Sequence, residues 1–136
     1  MPITRIDLSA TRSAADRLAI AEGVRRALQE AIGIPSDDRF LIITPHDPAD
    51  LLFDREYAGV RREDIVYIQV ILVGGRPQEL KLDLYRRIVA NLTEAGVRPD
   101  DVYIVLTEND LDDWSVGRGR AQLVDQGTVP GRRAES

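Results

Sequence analysis

The feature that most limits what this chain can fold into is that it is written twice. The segment GIPSDDRFLIITPHD (33–47) lies over GVRPDDVYIVLTEND (96–110) at a constant offset of 63, with the glycine, both aspartates, the threonine and the last aspartate coinciding. Carried backwards with no gap, the same offset sets Pro2–Leu8 over Ile65–Ile71, and a helix from Ser13 over one from Pro77. Each copy opens on an apolar, β-branched run, PITRIDL or DIVYIQVILV, and continues into an amphipathic helix. Ala14, Leu18, Ala21, Val24, Leu28 and Ile32 mark the apolar face of the first helix; Leu80, Leu84, Ile88, Leu92 and Ala95 mark that of the second. Pro77 suits a first helical turn, and Gly33 and Gly96 suit the position just past the last. An Asp-Asp turn then leads into a second strand, FLIIT or VYIVLT.

That is a β-α-β unit made twice, at about 2–47 and 64–110. A helical crossover within one sheet implies parallel pairing inside each unit, with a right-handed connection. The expected fold is α/β, in the form of an α+β two-layer sandwich: a four-stranded sheet with two helices on one face. Outside the doubling, 47–63 reads as a polar connector whose Leu51-Leu52-Phe53 island could pack as one helical turn. Residues 111–124 read as a turn and a C-terminal β-hairpin around Gly117 and Gly119. One domain is expected over 1–124, and 125–136 reads as a disordered tail rich in Gly, Pro and Arg. The strand IVYIQVILV is apolar on both sides except at Gln69, yet two helices cover only one face of a sheet. The other cover is expected from further copies of the chain, as a homotrimer with its sheets facing inward.

Composition narrows the function classes. A length of 136 residues suits one domain with a hydrophobic core. The net charge of −5 is spread through the chain and argues against nucleic acid or an anionic membrane as partner. The absence of cysteine excludes disulfides and thiolate metal sites, and a single histidine, His46, excludes a histidine-rich one, so no metal and no cofactor are expected. No run approaches the ~20 apolar residues of a membrane span, and no charged and then apolar leader opens the chain. A cytoplasmic location is the expectation by default.

The start, Met1-Pro2, carries the chemistry. Proline is tolerated at the first residue of a strand, where its missing N–H costs no ladder bond. A small second residue also favours removal of the initiator methionine, which would leave Pro2 as a free secondary amine able to act as base, acid or nucleophile. Two tandem β-α-β units, a proline after the initiator methionine and no cofactor motif together resemble the tautomerase superfamily. The nearest subgroup is that of malonate semialdehyde decarboxylase. The resemblance covers residues 2–124 and is strongest in MPITRIDL, in GIPSDDRFLI with His46 downstream, and in ENDLDDWSVGRGRAQL.

This resemblance implies Pro2 as the catalytic amine, Asp38 as its carboxylate partner and Arg76 as the clamp on a substrate carboxylate. That subgroup carries a second arginine where this chain has Gly74. Arg12 matches a further arginine position of the superfamily and is expected to serve from its own or a neighbouring subunit. Each residue also has a plainer reading. Asp101 repeats Asp38 in the second copy, so the Asp-Asp pair could serve only to shape a turn. Arg76 could be a solvated loop residue, although its two-pronged guanidinium beside a helix N-terminus suits an anion. Trp114 is expected to wall an apolar pocket, Arg118 and Arg120 to make hairpin or interface ion pairs, and His46 to be exposed and structural.

The substrate expected from this set is a small carboxylate bearing a carbonyl. A neutral Pro2 would catalyse keto–enol tautomerisation of a 2-oxo acid, which ranks first because Gly74 removes half of the clamp. A protonated or iminium-forming Pro2 would serve a decarboxylase or hydratase instead. A non-catalytic binding or signalling protein on the same scaffold is the third reading.

Overall fold

The computed structural model describes residues 1–127. Four strands, β1 (Ile3–Ser9), β2 (Leu41–His46), β3 (Val66–Val73) and β4 (Val102–Asn109), form one sheet in the order β2-β1-β3-β4. Pairing is parallel inside each unit, β1 with β2 and β3 with β4, and antiparallel where the units meet at β1 and β3. Helices α1 (Ala14–Ile32) and α2 (Gln78–Glu94) are the two crossovers. Both pack on one face, over Ile6 and Leu8 of β1 and Val66, Ile68, Val70 and Leu72 of β3, so a single core lies between sheet and helices. This is the two-layer doubled arrangement that the sequence predicts. Ser13 caps α1 by accepting the backbone N–H of Asp16, and Gly33 ends it in the left-handed region at φ 71°.

The repeat is not gapless, however. Thr4 pairs with Leu41 and Val66 with Val102, so the strand spacing is one residue longer in the first unit. Buried Ile20, Val24 and Leu28 of α1 correspond to Leu84, Ile88 and Leu92 of α2 at an offset of 64, not 63. The extra residue is taken up at the helix ends. In α2 the Val97 N–H returns to the Leu92 carbonyl and the Gly96 N–H to Thr93, the paired bonds of a Schellman motif. In α1 the Ile34 N–H reaches back one residue further, to Leu28. A slip at the cap keeps every strand on its proper face, which a slip inside a strand would not.

Four further expectations are corrected. Residues 111–124 form no hairpin among the described residues: Gly117, Arg118 and Gly119 all take positive φ (148°, 60° and 67°), which curls the chain away from an extended ladder. The Gln122 side chain closes that curl, accepting from Val116 N–H and donating to the Gly117 carbonyl, and a short helix α3 (Gln122–Gln126) follows. Residues 125 and 126, expected in the tail, belong to this helix; 128–136 lie outside the described residues. The Leu51-Leu52-Phe53 island is not helical but runs between two 3-10 turns, with Leu51 buried and Leu52 80% exposed. The first turns of α1 are exposed, and Leu18, expected on the buried face, is 68% exposed.

The sheet face away from the helices is only partly covered in the single chain, by Leu111, Trp114 and Leu123 over Val73 and by the connector at Tyr67. It carries Ile42, Tyr103 and Val105, each about two-fifths exposed, alongside polar groups: Asp7 paired with His46 at 2.7 Å, and Gln69 donating to Thr107. No described helix is long and apolar enough to cross a membrane.

Candidate active site

The antiparallel pairing of β1 with β3 sets the start of the chain beside the end of β3, because Ile3 lies opposite Ile71. Pro2 is buried there, one residue before β1 begins. The chain's terminal amine, on Met1, meets both carboxylate oxygens of Asp38, at 2.9 and 3.0 Å. Met1, Asp38, Phe40, Val116 and Leu123 line a cleft of about 440 Å³. The Met1 side chain packs with Trp114 and Leu111 against Val73 and Leu123, and its sulfur accepts the Val73 N–H at 3.5 Å. Trp114 is anchored by its indole N–H, which donates to Asn109 Oδ1 at 2.7 Å.

Arg76 follows the end of β3 by three residues. It is 7% exposed, and its Nη1 donates to the Val73 carbonyl at 2.6 Å. Asp38 and Trp114 thus meet the chain start directly, whereas Arg76 reaches it only through Val73 and lines a separate small cavity rather than the cleft. Arg12 does neither. It follows the far end of β1, a strand of seven residues, or ~23 Å at ~3.3 Å per residue. There its Nη2 donates to the Asp64 carbonyl at 2.8 Å and pairs with the Asp64 carboxylate at 3.1 Å. The expectation that Arg12 serves a site in its own subunit is therefore corrected. His46 lies at that far end too, bound to Asp7. Arg118 is exposed, and Arg120 faces Asp125 at 3.8 Å on the surface.

The doubled unit gives Asp38 a counterpart in the second copy. Its counterpart Asp101 is 1% exposed and accepts the backbone N–H groups of Glu63 and Asp64, at 2.7 and 3.2 Å, as the connector enters β3. The equivalent carboxylate of the first unit, Asp38, stands beside the entry to β1, where the Met1 amine takes the place of those amides. The turn-shaping reading describes Asp101. At Asp38 the equivalent carboxylate faces an open cleft.

A family model described as tautomerase enzyme matches residues 38–117. The Bacillus subtilis (strain 168) protein described as probable tautomerase YusQ is 35% identical over 127 residues, covering 92% of this chain and 100% of the relative. The crystal structure of FG41 malonate semialdehyde decarboxylase inhibited by 3-bromopropiolate matches with a TM-score of 0.87 and 41% identity, over 93% of this chain and 97% of the other. Crystal structures of wild-type, mutant and inactivated malonate semialdehyde decarboxylase, described as a basis for decarboxylase and hydratase activities, match with a TM-score of 0.86 and 30% identity, over 93% and 99%.

The chain belongs to the tautomerase family. Within that family it resembles the malonate semialdehyde decarboxylase subgroup, and it is accordingly an enzyme, an isomerase or a decarboxylase/hydratase. Against this family background the surroundings of Gly74 stand out. A Cβ placed on Gly74 would lie 2.5 Å from Glu108 Oε2, so a carboxylate occupies the space that a side chain at this position would need. Glu108 is in turn held by Lys81, and both line a small enclosed cavity with Arg76 and Leu72. Sequence reading missed Glu108 and Lys81, which are brought together across 27 residues. It also missed Phe40, Val116 and Leu123 as walls of the cleft. Their signal was weak, since each sits next to a motif residue but carries no polar chemistry of its own.

Proposed function

We propose that loss of Met1 frees Pro2 as a secondary amine, and that this tautomerase-family enzyme acts through it on small carboxylates bearing a carbonyl. The observation that carries this reading is the Asp38 carboxylate, set in an open cleft and holding the chain's terminal amine at 2.9 Å. A carboxylate beside an amine favours its cationic form. A cationic Pro2 suits decarboxylation of a 3-oxo acid. Its ammonium donates a hydrogen bond to the substrate carbonyl while the bond to the carboxylate carbon breaks and carbon dioxide leaves. The electron pair of that bond moves toward the carbonyl oxygen, and a proton returned to the carbon completes the product. Asp38 holds the ammonium in place, Arg76 orients the substrate, and Trp114 and Leu123 keep one wall dry. With water in place of the breaking bond, the same set hydrates an activated double or triple bond. The similarity to malonate semialdehyde decarboxylase, at 41% identity over 93% of the chain, supports this direction.

Keto–enol tautomerisation of a 2-oxo acid is the second reading, and one observation favours it. Glu108 fills the space at Gly74 where the decarboxylase subgroup carries a second arginine, so the two-arginine clamp of that subgroup is reduced here to Arg76. Arg12 then serves from a neighbouring subunit if at all. An assay panel of malonate semialdehyde, phenylpyruvate enol and an acetylenic 2-oxo acid, on protein of verified N-terminus, separates the readings. Turnover of the first and third supports the cationic mechanism; turnover of phenylpyruvate enol alone replaces it with the tautomerase.

A further inference from the structure

We infer that the connector between the two units carries an anion site of its own, for a multiply charged oxyanion of the diphosphate class, at the end of the sheet opposite Pro2. Arg55, Arg61, Arg62 and Arg98 line a cleft of about 290 Å³ together with Glu56 and Glu63. Four guanidinium groups around one cleft, in a chain whose net charge is −5, repel one another unless carboxylates separate them. Here the carboxylates serve only one of the four. Arg98 faces Glu63 at 3.6 Å and Asp101 at 3.5 Å, whereas Arg55, Arg61 and Arg62 make no ion pair among the described residues.

The three are held by other means, which leaves their charge available. Arg62 donates Nη1 to the Asp54 and Tyr57 carbonyls, at 3.1 and 2.9 Å, and these bonds fix its guanidinium plane. Arg55 lies over the Phe53 ring, 5.5 Å from its centroid. Arg61 is positioned through its backbone: its N–H donates to Asp100 Oδ2 at 2.9 Å and its carbonyl accepts from Arg98 Nη1 at 3.0 Å. Its own guanidinium makes no hydrogen bond or ion pair among the described residues. A planar fork with two free edges is suited to paired phosphoryl oxygens, and several such forks around one cleft favour an anion of higher charge than a single carboxylate.

The test is titration calorimetry of the processed protein with inorganic pyrophosphate, at 150 mM chloride so that diffuse attraction is screened. One saturable site per chain is expected. Arg61→Ala should weaken it at least tenfold while leaving oxo-acid turnover and thermal unfolding unchanged, because that exposed side chain makes no hydrogen bond or ion pair among the described residues. Arg118→Ala, which removes an exposed arginine outside the cleft, should bind as the parent does. Absence of saturable binding, or binding by Arg61→Ala equal to the parent's, overturns the assignment. So does binding that is lost with Arg76→Ala and kept with Arg61→Ala, which would place the anion at the Pro2 end.

Discussion

Asp38 and Asp101 occupy one position of a doubled unit and differ only in what arrives beside them. Asp101→Ala would leave the amides of Glu63 and Asp64 buried without their acceptor. Hydrogen bonds to a charged group contribute about 1.5–3 kcal/mol, so a loss of about 2–3 kcal/mol is expected, read as a lower midpoint in urea with unchanged slope. Asp38→Asn should leave that midpoint near the parent's and act on turnover instead. If Pro2 works as the ammonium, this substitution costs at least the ~10²-fold typical of a lost proton-handling group. The pH profile then has a stated sign: activity is present below the titration of the Pro2 amine and falls as pH rises through it. A rising limb together with a mild Asp38→Asn defect would hand the reaction to the tautomerase reading. Both measurements presuppose a mature chain that starts at Pro2. Intact mass should show the methionine missing, and protein that retains Met1 should be inactive, since it has no secondary amine and its Met1 side chain fills the site against Trp114 and Leu123.

Between elements, the two helices approach each other closely. Gly23 of α1 faces α2 so closely that an added Cβ would lie 3.1 Å from Leu92 Cδ1 and 3.3 Å from Asn91 Cβ, and the Gly23 carbonyl accepts the Asn91 amide at 3.0 Å. Gly23→Leu should force the helices apart and cost about 1–3 kcal/mol, seen as a lower melting temperature; a neutral result would mean that the crossing is looser than these contacts imply. What could be read from sequence at this scale follows the same physics. The offset of 63 locates every strand and both helices, because apolar periodicity and glycine caps are local signals. It misses the one-residue slip because Gly33 and Gly96 align perfectly well while the turns before them differ. It misses α3 because two glycines near each other suggest a hairpin, whereas the closing bonds come from Gln122, a residue with no turn signature. Of the site, Pro2, Asp38, Arg76 and Trp114 are legible through short motifs. The Lys81–Glu108 pair beside Gly74 depends on the register of α2 over β4 and has no local signal.

Arg76 gives the site-level counterpart of that argument. Arg76→Ala should raise KM for an acidic substrate by tenfold or more, since a charged contact contributes about 1.5–3 kcal/mol, with a much smaller effect on an uncharged ketone analogue. Equal effects on both would make the arginine a strut for the Val73 carbonyl and nothing more.

For the whole molecule, the partly covered sheet face is the unresolved physical demand. Ile42, Tyr103 and Val105 expose apolar surface on it. A patch of this kind is more often an interface than a solvent face. We propose a homotrimer with the three sheets turned inward, a closed arrangement that buries the same face on every copy. It also gives the polar pairs on that face a role, since Asp7–His46 and Gln69–Thr107 arrive already hydrogen-bonded and so can be buried without stranding a charge or an amide. Multi-angle light scattering at micromolar concentration should return three times the chain mass of 15.2 kDa. Val105→Asp, which sets a charge on the face without touching the Pro2 cleft, should shift that mass toward the monomer. If turnover falls with the mass, a neighbouring subunit completes the site, and Arg12 is the first residue to examine. If the parent chain is a stable monomer, the sheet face is simply solvated and the inward-facing assembly is wrong.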